Sequence, residues 1–280
     1  VGQPAISAQI RKLEQALGEQ LFDRSGRTMQ LTEVGEVVYG YADDIFATGR
    51  DLTDAVRGLP GRGPVRLTVG VVDWIPKVMV HRLVMPALDE FEHLLLELTS
   101  GMPDALFAAL AVNSYDLVLS DSPLPTTVDV QAYNHFLGEC NVALMGTPEL
   151  ARQYREGFPE SLADAPIIVS GLHSNLRRSL LRWYRDQGLE PRIVAEVSDS
   201  AVLKVFGQRG LGLFAVPTAV ETDIARQYQV ERIAVLGGVQ ERYYAISVER
   251  RIRNPAVAAI TAAARSGLFV EDAAQDGPTD

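Results

Sequence analysis

The chain has very little cysteine and lacks any long apolar run. Of its 280 residues only Cys140 is a cysteine, so no disulfide can form within the chain, as is typical of a reducing compartment. The longest apolar stretch, Leu211 to Val220, is short and contains Pro217, which excludes a transmembrane helix there. No signal peptide is recognisable. These features together predict a cytoplasmic protein without a membrane partner.

Basic residues are also scarce relative to acidic ones. Lys and Arg number 26 against 36 Asp and Glu, for a net charge of -10. This charge balance excludes a protein that binds nucleic acid over its whole surface, so any DNA contact must be confined to one part of the chain. Residues 1–32 carry four basic side chains against three acidic ones, so the acidic excess lies elsewhere. The acidic tail 271–280 lacks large apolar groups and is predicted to be disordered.

The first segment reads as a helix followed by a hairpin. Its apolar residues recur at helical spacing, at Ile6, Ile10, Leu13 and Leu17. Pro4 suits the first helical turn and Gly18 suits a C-terminal cap. Apolar residues between Leu21 and Leu31 then alternate around Ser25-Gly26, which is typical of a short hairpin.

A long helix is predicted next, with Thr32 as its N-cap. Its apolar residues repeat at heptad-like spacing, at Val34, Val38, Tyr41, Ile45, Leu52 and Val56. Such a stripe either packs on its own domain or pairs two chains. Because the opposite face is acidic and suited to solvent, the apolar stripe needs a partner surface, and dimerisation is favoured. Residues 58–64 are rich in Gly and Pro and indicate a linker.

From Val65 onward, strands alternate with helices. Strands are predicted at 65–71, 94–98, 117–120, 141–145, 167–169, 192–197, 212–216 and 243–248, and helices at 75–91, 103–112, 176–187, 201–208 and 255–265. This alternation predicts mainly parallel sheets with helices on both faces, in two α/β lobes. The predicted organisation is a winged helix-turn-helix at 1–32, a linker helix at 33–63, lobe I at 64–145 and 246–270, lobe II at 146–245, and the tail.

The first helix and hairpin suit a DNA-reading module, because a recognition helix places its N-terminal residues against base edges in the major groove. Polar or small side chains for base or phosphate contact lie along the helix, and two arginines flank the hairpin tip. The candidates are Gln3, Pro4, Ala5, Ser7, Gln9, Arg11, Lys12, Arg24 and Arg27. The alternative is a generic surface helix followed by a solvated hairpin.

Three blocks of this region resemble the DNA-binding domain of LysR-type transcriptional regulators. They are the Gln-Pro-Ala-x-Ser-x-x-Ile-x-x-Leu-Glu run from Gln3 to Glu14, the Leu-Gly-x-x-Leu-Phe-x-Arg run from Leu17 to Arg24, and the Leu-Thr-x-x-Gly run from Leu31 to Gly35. Gly2 stands where the family often has Ser or Thr. The family's first helices precede the Gln-Pro pair, so we expect N-terminal residues to be missing from this sequence.

This resemblance implies an α/β chain built as a partial winged helix-turn-helix, a long dimerising linker helix and a two-lobed effector domain like a periplasmic binding protein. It implies a cytoplasmic activator whose partners are a double-stranded DNA operator, a second copy or three further copies of the chain, a small-molecule or ion effector, and RNA polymerase.

Within the family, further patches resemble the NhaR type, which activates a sodium/proton antiporter gene. They are Val38 to Asp43, Val69 to Asp73, Leu119 to Pro123, Gly138 to Cys140, Leu181 to Leu189, Lys204 to Gly207, Glu249-Arg250 and Pro255 to Val257. This closer resemblance implies control of sodium or pH homeostasis.

Candidate effector residues follow predicted strands or precede predicted helices. They are Asp73, Trp74, Thr99, Ser100, Ser120, Asp121, Ser198 and Asp199. In a two-lobed α/β domain, ligands bind between lobes at the carboxyl ends of strands, and helix N-termini there offer free N–H groups to an anion. A small carboxylate or inorganic anion would suit such a site. Simple helix capping is the alternative role for the serines and Asp199.

The NhaR-type resemblance points instead to Na+ or Li+ as the effector. Hard cations prefer oxygen ligands, and Asp73, Asp121 and Glu139 lie at strand ends from which they could converge. Solvated carboxylates at the rim of the cleft are the alternative.

An enzyme or a plain solute-binding receptor is the rival class for residues 64–270. The sequence has no nucleophile elbow, GxGxxG or P-loop, and its four histidines lack metal-ligand spacing. We therefore expect no catalytic residues, no cofactor and no dedicated metal centre. A receptor would also leave the DNA-like first segment without a role.

Overall fold

The computed structural model describes residues 3–23, 30–56, 66–125, 131–249 and 254–269. The chain forms two compact units, Val1–Pro64 and Val65–Asp280. No helix of the described ranges is long and apolar enough to span a bilayer.

The first unit contains helix α1 (Gln3–Leu17), strands β1 (Phe22–Asp23) and β2 (Gln30–Leu31), and helix α2 (Glu33–Val56). Gly18 ends α1 with φ +75°, and its N–H donates to the Glu14 carbonyl at 2.9 Å. Thr32 caps α2, since its hydroxyl accepts from the Gly35 N–H at 2.9 Å. The predicted helix, hairpin and long helix are therefore confirmed. The hairpin tip at Ser25-Gly26 lies outside the described residues.

The second unit alternates strands and helices. In chain order its strands are β3 (Arg66–Val72), β4 (Leu95–Gly101), β5 (Leu117–Ser120), β6 (Tyr133–Gly146), β7 (Pro166–Ser170), β8 (Arg192–Val197), β9 (Phe214–Pro217) and β10 (Glu231–Ser247). Its helices are α3 (Lys77–Glu90), α4 (Pro103–Ala111), α5 (Pro148–Arg155), α6 (Asn175–Asp186), α7 (Ser200–Gln208), α8 (Glu221–Tyr228) and α9 (Pro255–Ala263), the last followed by one π-helical turn.

Two long strands join two halves of this unit. The main sheet has the order β4-β3-β5-β10-β6-β9, and β7 pairs with β8 in a second sheet. Leu213, beside β9, bridges to Ile167 of β7, so the second sheet continues the first. We name the half built on β3, β4 and β5 the first lobe and the half built on β7, β8 and β9 the second lobe. Strands β6 and β10 pair along their length and belong to both.

The sheet is mixed, which corrects the prediction of mainly parallel sheets. Strand β3 is parallel to β4 and β5, and β7 to β8, but β10 is antiparallel to β5 and β6. The predicted strands at 141–145 and 243–248 were too short, because they are apolar portions of strands of 14 and 17 residues. The remaining portions carry exposed charges on one face, such as Glu139 paired with Arg242 at 2.9 Å.

A register shift interrupts the β6–β10 pairing. Val235 lies opposite Ala143, whereas the next regular pair is Gln240 with Asn141, so β10 has extra residues between them. Gly238 in this bulge has φ +77°, a conformation that a side chain disfavours.

The buried apolar residues form two clusters, of which the larger reaches from the first lobe into the second. In the first lobe, Leu67, Val69 and Val71 of β3 are fully buried. In the second lobe, Ile167 of β7 packs in a cluster with Trp183 of α6. These cores fix the carboxyl ends of β3, β5 and β7 on the side of the unit where α6 and α7 begin.

Candidate nucleic-acid interface and effector cleft

Helix α1 presents a polar surface. The predicted DNA-contacting side chains that the structure describes are all solvent-exposed: Ser7, Gln9, Arg11 and Lys12. Gln3, Pro4 and Ala5 lie in the first turn of α1, which contains no acidic residue to oppose the positive end of the helix dipole. Arg24 and Arg27 lie outside the described residues. The exposed row is suited to phosphate and base-edge contacts.

The hairpin is fastened to both helices of the first unit. The Leu21 N–H donates to Glu14 of α1 at 3.0 Å, and the Thr32 N–H donates to the Leu21 carbonyl at 3.0 Å. Leu21 is 4% exposed, so its side chain fills the space between these elements. The relative placement of α1 and the hairpin is thus set by residues within the family-like blocks.

Helix α2 carries an uncovered apolar surface. Val34, Tyr41 and Ile45 of the predicted stripe are 40%, 42% and 70% exposed, and Phe46 is 68% exposed. An apolar row of this kind on a long helix is suited to pairing with another helix.

The structure brings part of the predicted effector set together. Asp73 and Trp74 lie in the turn after β3, and Asp121 directly follows β5, the neighbouring parallel strand. The Trp74 indole Nε1 donates to Asp121 Oδ2 at 2.8 Å. Ser120 is buried, and its hydroxyl accepts from the Ser122 N–H at 3.2 Å. It therefore stabilises the turn that carries Asp121.

A second group forms around the start of α3. The Lys77 ammonium donates to the Asp73 carbonyl at 3.3 Å and to the Ser100 hydroxyl at 3.2 Å. Thr99 and Ser198 are both solvent-exposed and lie outside these hydrogen bonds. These hydrogen bonds place the exposed Lys77 ammonium at the carboxyl ends of β3 and β4.

Asp121 links the two lobes. Its Oδ2 also accepts from the backbone N–H of Asn175, the first residue of α6, at 3.4 Å, and its carbonyl accepts from Asn175 Nδ2 at 3.1 Å. Burial raises the pKa of Asp121, while the hydrogen bonds from Trp74 and Asn175 oppose that rise. Within the described ranges, the other carboxylate oxygen, Oδ1, is buried without a hydrogen-bond partner.

Asp199 caps α7, as the capping alternative expected. Its Oδ1 accepts from the N–H groups of Ala201 at 2.7 Å and Val202 at 3.0 Å. The hydrogen bond from Val202 is the largest cause that lowers the pKa of Asp199, and the charges of Lys77 and Lys204 add to it. Both lysines therefore lie within electrostatic reach of the α7 N-terminus.

Lys204 is a buried cation that is not among the predicted effector residues. Its ammonium donates to the Ser200 carbonyl at 2.8 Å, and burial lowers its pKa to about 8. The Ser200 hydroxyl in turn donates to the Ile75 carbonyl of the first lobe at 3.5 Å. The start of α7 is thus a second place where the lobes meet.

The predicted convergence of Asp73, Asp121 and Glu139 was wrong. Glu139 points away from the cleft and pairs with Arg242, because successive residues of β6 face opposite sides of the sheet and its neighbour Cys140 is the buried one. In the part of the chain that the structure describes, no group of three or more His, Cys, Asp or Glu could hold a metal ion.

The carboxyl group that does lie near Asp121 is Glu241 of β10, which is 5% exposed. Burial raises its pKa well above the usual range, and the charge of Asp121 raises it further. Sequence reasoning missed Glu241 and Asn175 because both contacts are made between elements far apart in the chain. The available signal for Glu241 was the alternation that places it on the same strand face as Tyr243. Ser174, which the sequence places before a predicted helix, is the N-cap of α6, and Asn175 is the residue after it.

Comparison with known proteins covers both units. Residues 1–36 match the family described as bacterial regulatory helix-turn-helix protein, lysR family, and residues 62–268 match the LysR substrate binding domain. The transcriptional activator protein NhaR of Escherichia coli is 33% identical over 267 residues, covering 94% of this chain and 86% of that protein. The RuBisCO operon transcriptional regulator of Allochromatium vinosum is 29% identical over 224 residues, covering 77% and 70%.

Solved structures share the fold. Full-length CbnR complexed with its target DNA aligns with a TM-score of 0.58 at 19% identity, covering 95% of this chain and 90% of that one. Full-length OxyR C199D from Pseudomonas aeruginosa aligns with a TM-score of 0.55 at 16% identity, covering 95% and 91%. The family matches set aside the receptor and enzyme alternatives. The chain belongs to the LysR family of DNA-binding transcriptional regulators, with a helix-turn-helix region followed by an effector-binding domain, and it is not an enzyme.

Proposed function

We propose that this regulator activates genes of sodium and pH homeostasis in the cytoplasm, in the manner of the NhaR type. The observation that carries the proposal is the 33% identity to the E. coli activator NhaR over 94% of the chain. The patches that resemble that type include Leu119 to Pro123, so the resemblance extends to the effector domain around Asp121 as well as to the DNA-binding region.

DNA recognition is proposed to use the N-terminal end of α1. Gln3 and Ala5 would meet base edges, Gln9 would meet a base or phosphate, and Arg11 would meet a phosphate. Pro4, Ser7 and Lys12 would complete this surface, with Arg24 and Arg27 reaching the backbone or minor groove from the hairpin. The exposure of the side chains from Ser7 to Lys12 supports this assignment.

The active species is proposed to be a symmetric dimer or a tetramer. The exposed apolar row on α2 would pair two chains, and a two-fold pair reads an operator with two similar half-sites. Contacts between effector domains would extend the dimer to a tetramer, and the DNA-bound assembly would recruit RNA polymerase.

The effector is proposed to bind in the cleft between the lobes. Na+ or Li+ would take the unpartnered Oδ1 of Asp121 as a ligand, because a hard cation prefers a carboxylate oxygen. A small carboxylate is the second candidate, favoured by Lys77 beside Ser100 and by Lys204 near the start of α7. Either ligand would change how the lobes meet and so shift the spacing of the DNA-binding pairs.

A reporter assay tests the cellular function. In a deletion strain, transcription of genes next to the regulator's own gene would be measured with and without added NaCl, using choline chloride at equal ionic strength as the control. We expect sodium to induce at least one of these genes only when the regulator is restored. Equal expression with and without the regulator under sodium stress would overturn the proposal.

Calorimetry on the purified protein distinguishes the effector classes. Binding heat with NaCl or LiCl that is absent with choline chloride, and lost in Asp121→Asn, supports the cation. Heat with sodium acetate and choline acetate alike, lost in Lys77→Ala, supports the carboxylate. Heat that survives both substitutions would show that neither site is correct.

A further inference from the structure

Lysine is rare in this chain. Of the 26 basic residues 23 are arginines, and only Lys12, Lys77 and Lys204 are lysines. An arginine side chain is always charged, whereas an amine that loses its proton becomes a nucleophile. Lys12 lies exposed on α1, so the effector domain has two amines, Lys77 at the start of α3 and Lys204 in α7. These two side chains are suited to chemistry that arginine cannot perform.

Helix α7 buries its lysine and exposes apolar side chains. Lys204 is 5% exposed. By contrast, Val202, Val205 and Phe206 of the same helix are 45%, 48% and 41% exposed. A lysine normally extends its ammonium group into water, because burial of an unpaired charge is costly. The Lys204 side chain instead turns back along α7 and donates to the Ser200 carbonyl at 2.8 Å, so the helix holds an amine away from solvent.

No carboxylate of the described residues forms an ion pair with Lys204. Asp199, the acid that acts on it from the start of its own helix, accepts the N–H groups of Ala201 and Val202. Helix α7 packs against β6, β7, β8, β9 and α8. The acidic side chains of those elements are each paired with an arginine: Glu139 with Arg242, Glu196 with Arg177, Glu221 with Arg232, and Asp223 with Arg82.

A second ammonium group lies on the other side of the contact between the lobes. The Ser200 hydroxyl donates to the Ile75 carbonyl at 3.5 Å, and Lys77 follows Ile75 by two residues. Lys204 is joined to the same contact by its own hydrogen bond to Ser200. Burial lowers the pKa of Lys204 to about 8, the charge of Asp199 opposes this effect, and the like charge of Lys77 adds to it. The contact between the lobes therefore carries an excess of positive charge.

A buried amine with these properties is partly neutral near physiological pH. With a pKa of about 8, roughly a quarter of the Lys204 side chains are deprotonated at about pH 7.5, about 200 times the fraction for an ordinary lysine. Burial restricts the reaction partners of this amine to small, uncharged molecules. The ammonium group of Lys77 nearby favours a product that is an anion. Carbon dioxide meets both conditions.

We propose that Lys204 reacts reversibly with carbon dioxide to form a carbamate at the contact between the lobes. The lone pair of the neutral amine attacks the carbon atom, an N–C bond forms, one C=O electron pair moves onto oxygen, and the nitrogen releases one proton to solvent. No group is oxidised or reduced. The remaining N–H still donates to the Ser200 carbonyl, and the carbamate oxygens accept from the Lys77 ammonium. Carbamate formation thus replaces like charges by opposite charges and strengthens the contact between the lobes.

Carbon-13 NMR of the purified protein in potassium bicarbonate labelled with carbon-13 tests the proposal, at about pH 8, near the pKa of Lys204. We expect a carbamate resonance that is lost in Lys204→Met and retained in Lys12→Arg, the control on α1. The N-terminal amine also forms a carbamate, because its pKa lies near 8, and its separate resonance should persist in both variants. Lys77→Met should weaken the Lys204 resonance, since no ammonium is then left to pair with the carbamate.

A carbamate resonance that is unchanged in Lys204→Met would overturn the proposal, as would a spectrum with no carbamate besides that of the N-terminal amine. Chemical trapping supplies a measurement that needs no substitution. Triethyloxonium tetrafluoroborate converts a carbamate into a stable ethyl ester, whose position peptide mass spectrometry identifies. We expect the ester on Lys204 after exposure to carbon dioxide and not in argon-purged buffer.

An ester on the N-terminal amine or on Lys12, with none on Lys204, would also overturn the proposal. Neither measurement involves sodium, an added carboxylate or transcription. Failure of the carbamate proposal would therefore leave the proposed function intact, and failure of the proposed function would not alter these outcomes.

Discussion

The backbone of Gly35 lies directly against the carbonyl oxygen of Leu21. A Cβ atom at position 35 would overlap that oxygen and lie 3.2 Å from the Leu31 side chain. The same carbonyl accepts the Thr32 N–H, so the hairpin and the first turn of α2 share one contact point. The Leu-Thr-x-x-Gly block thus ends in glycine because no side chain fits at position 35.

Gly35→Ala should force the hairpin away from α2 and weaken DNA binding severely, because a backbone carbonyl cannot yield as a flexible side chain can. Fluorescence anisotropy with operator DNA measures the loss. Gly40→Ala on the same helix is the control, since a Cβ there meets nothing within 4 Å. Alanine at that exposed position should stabilise α2 by about 1 kcal/mol. Similar affinities for the two variants would contradict the steric argument.

Gln3→Ala and Arg24→Ala should affect DNA binding in different ways. Loss of a base contact should relax sequence preference, whereas loss of a phosphate contact should weaken binding to all sequences and reduce the salt slope by about 1. Both are measured by binding to operator and unrelated duplexes over a range of salt, with the full-length gene product. A change in specificity for Arg24→Ala, with an unaltered salt slope, would reverse the assignment.

Glu241→Gln should stabilise the protein at alkaline pH and have less effect under acidic conditions. Because burial raises the pKa of Glu241 above its ordinary 4.5, the unfolded chain releases this proton before the folded chain does. Stability of the wild type therefore falls as pH rises through that window, by at most about 1.4 kcal/mol per pH unit for one proton. Urea unfolding at several pH values would show the variant's advantage growing with pH; a constant difference would contradict this account.

Lys204→Met should have the opposite pH dependence. Burial lowers the pKa of Lys204 from 10.5 to about 8, so the cost of its buried charge is fully present below pH 8 and declines as pH rises toward 10.5. The substitution should raise the free energy of unfolding by up to about 3 kcal/mol at neutral pH, and the gain should shrink above pH 8. Lys77→Met is the exposed control, with an expected change within about 0.5 kcal/mol. A gain for Lys204→Met that grew with pH would be inconsistent with a buried charge.

Local patterns in the sequence were sufficient for most of the fold. The apolar spacing from Ile6 to Leu17 and the Thr32 cap predicted α1 and α2, because both depend on residues close in the chain. The charged helices α5 and α8 were missed, since each is only 8 residues long and has few apolar positions. The long strands β6 and β10 were only partly predicted, because exposed positions interrupt their apolar pattern and the pairing that stabilises them is distant in sequence.

Only those site residues that directly follow a predicted strand could be predicted from the sequence. Asp121 and Trp74 were proposed from their positions after β5 and β3, and the structure joins them by a hydrogen bond. Glu241 and Asn175 come from other parts of the chain. Their proximity to Asp121 depends on how β10 and α6 pack, which no local pattern encodes.

Strands β6 and β10 form a continuous ribbon through both lobes, so these halves are not joined by flexible peptide. A rearrangement that keeps this pairing would twist the ribbon, and the ladder is interrupted between Val235 and Gln240, where Gly237 and Gly238 lie. Torsion about a shared axis turns the halves in opposite senses and leaves their separation nearly constant. Effector binding would then change the angle between the two lobes rather than the distance between them. A substitution that stiffens Gly237 and Gly238 would reduce the transcriptional response while leaving the affinity for the effector largely unchanged.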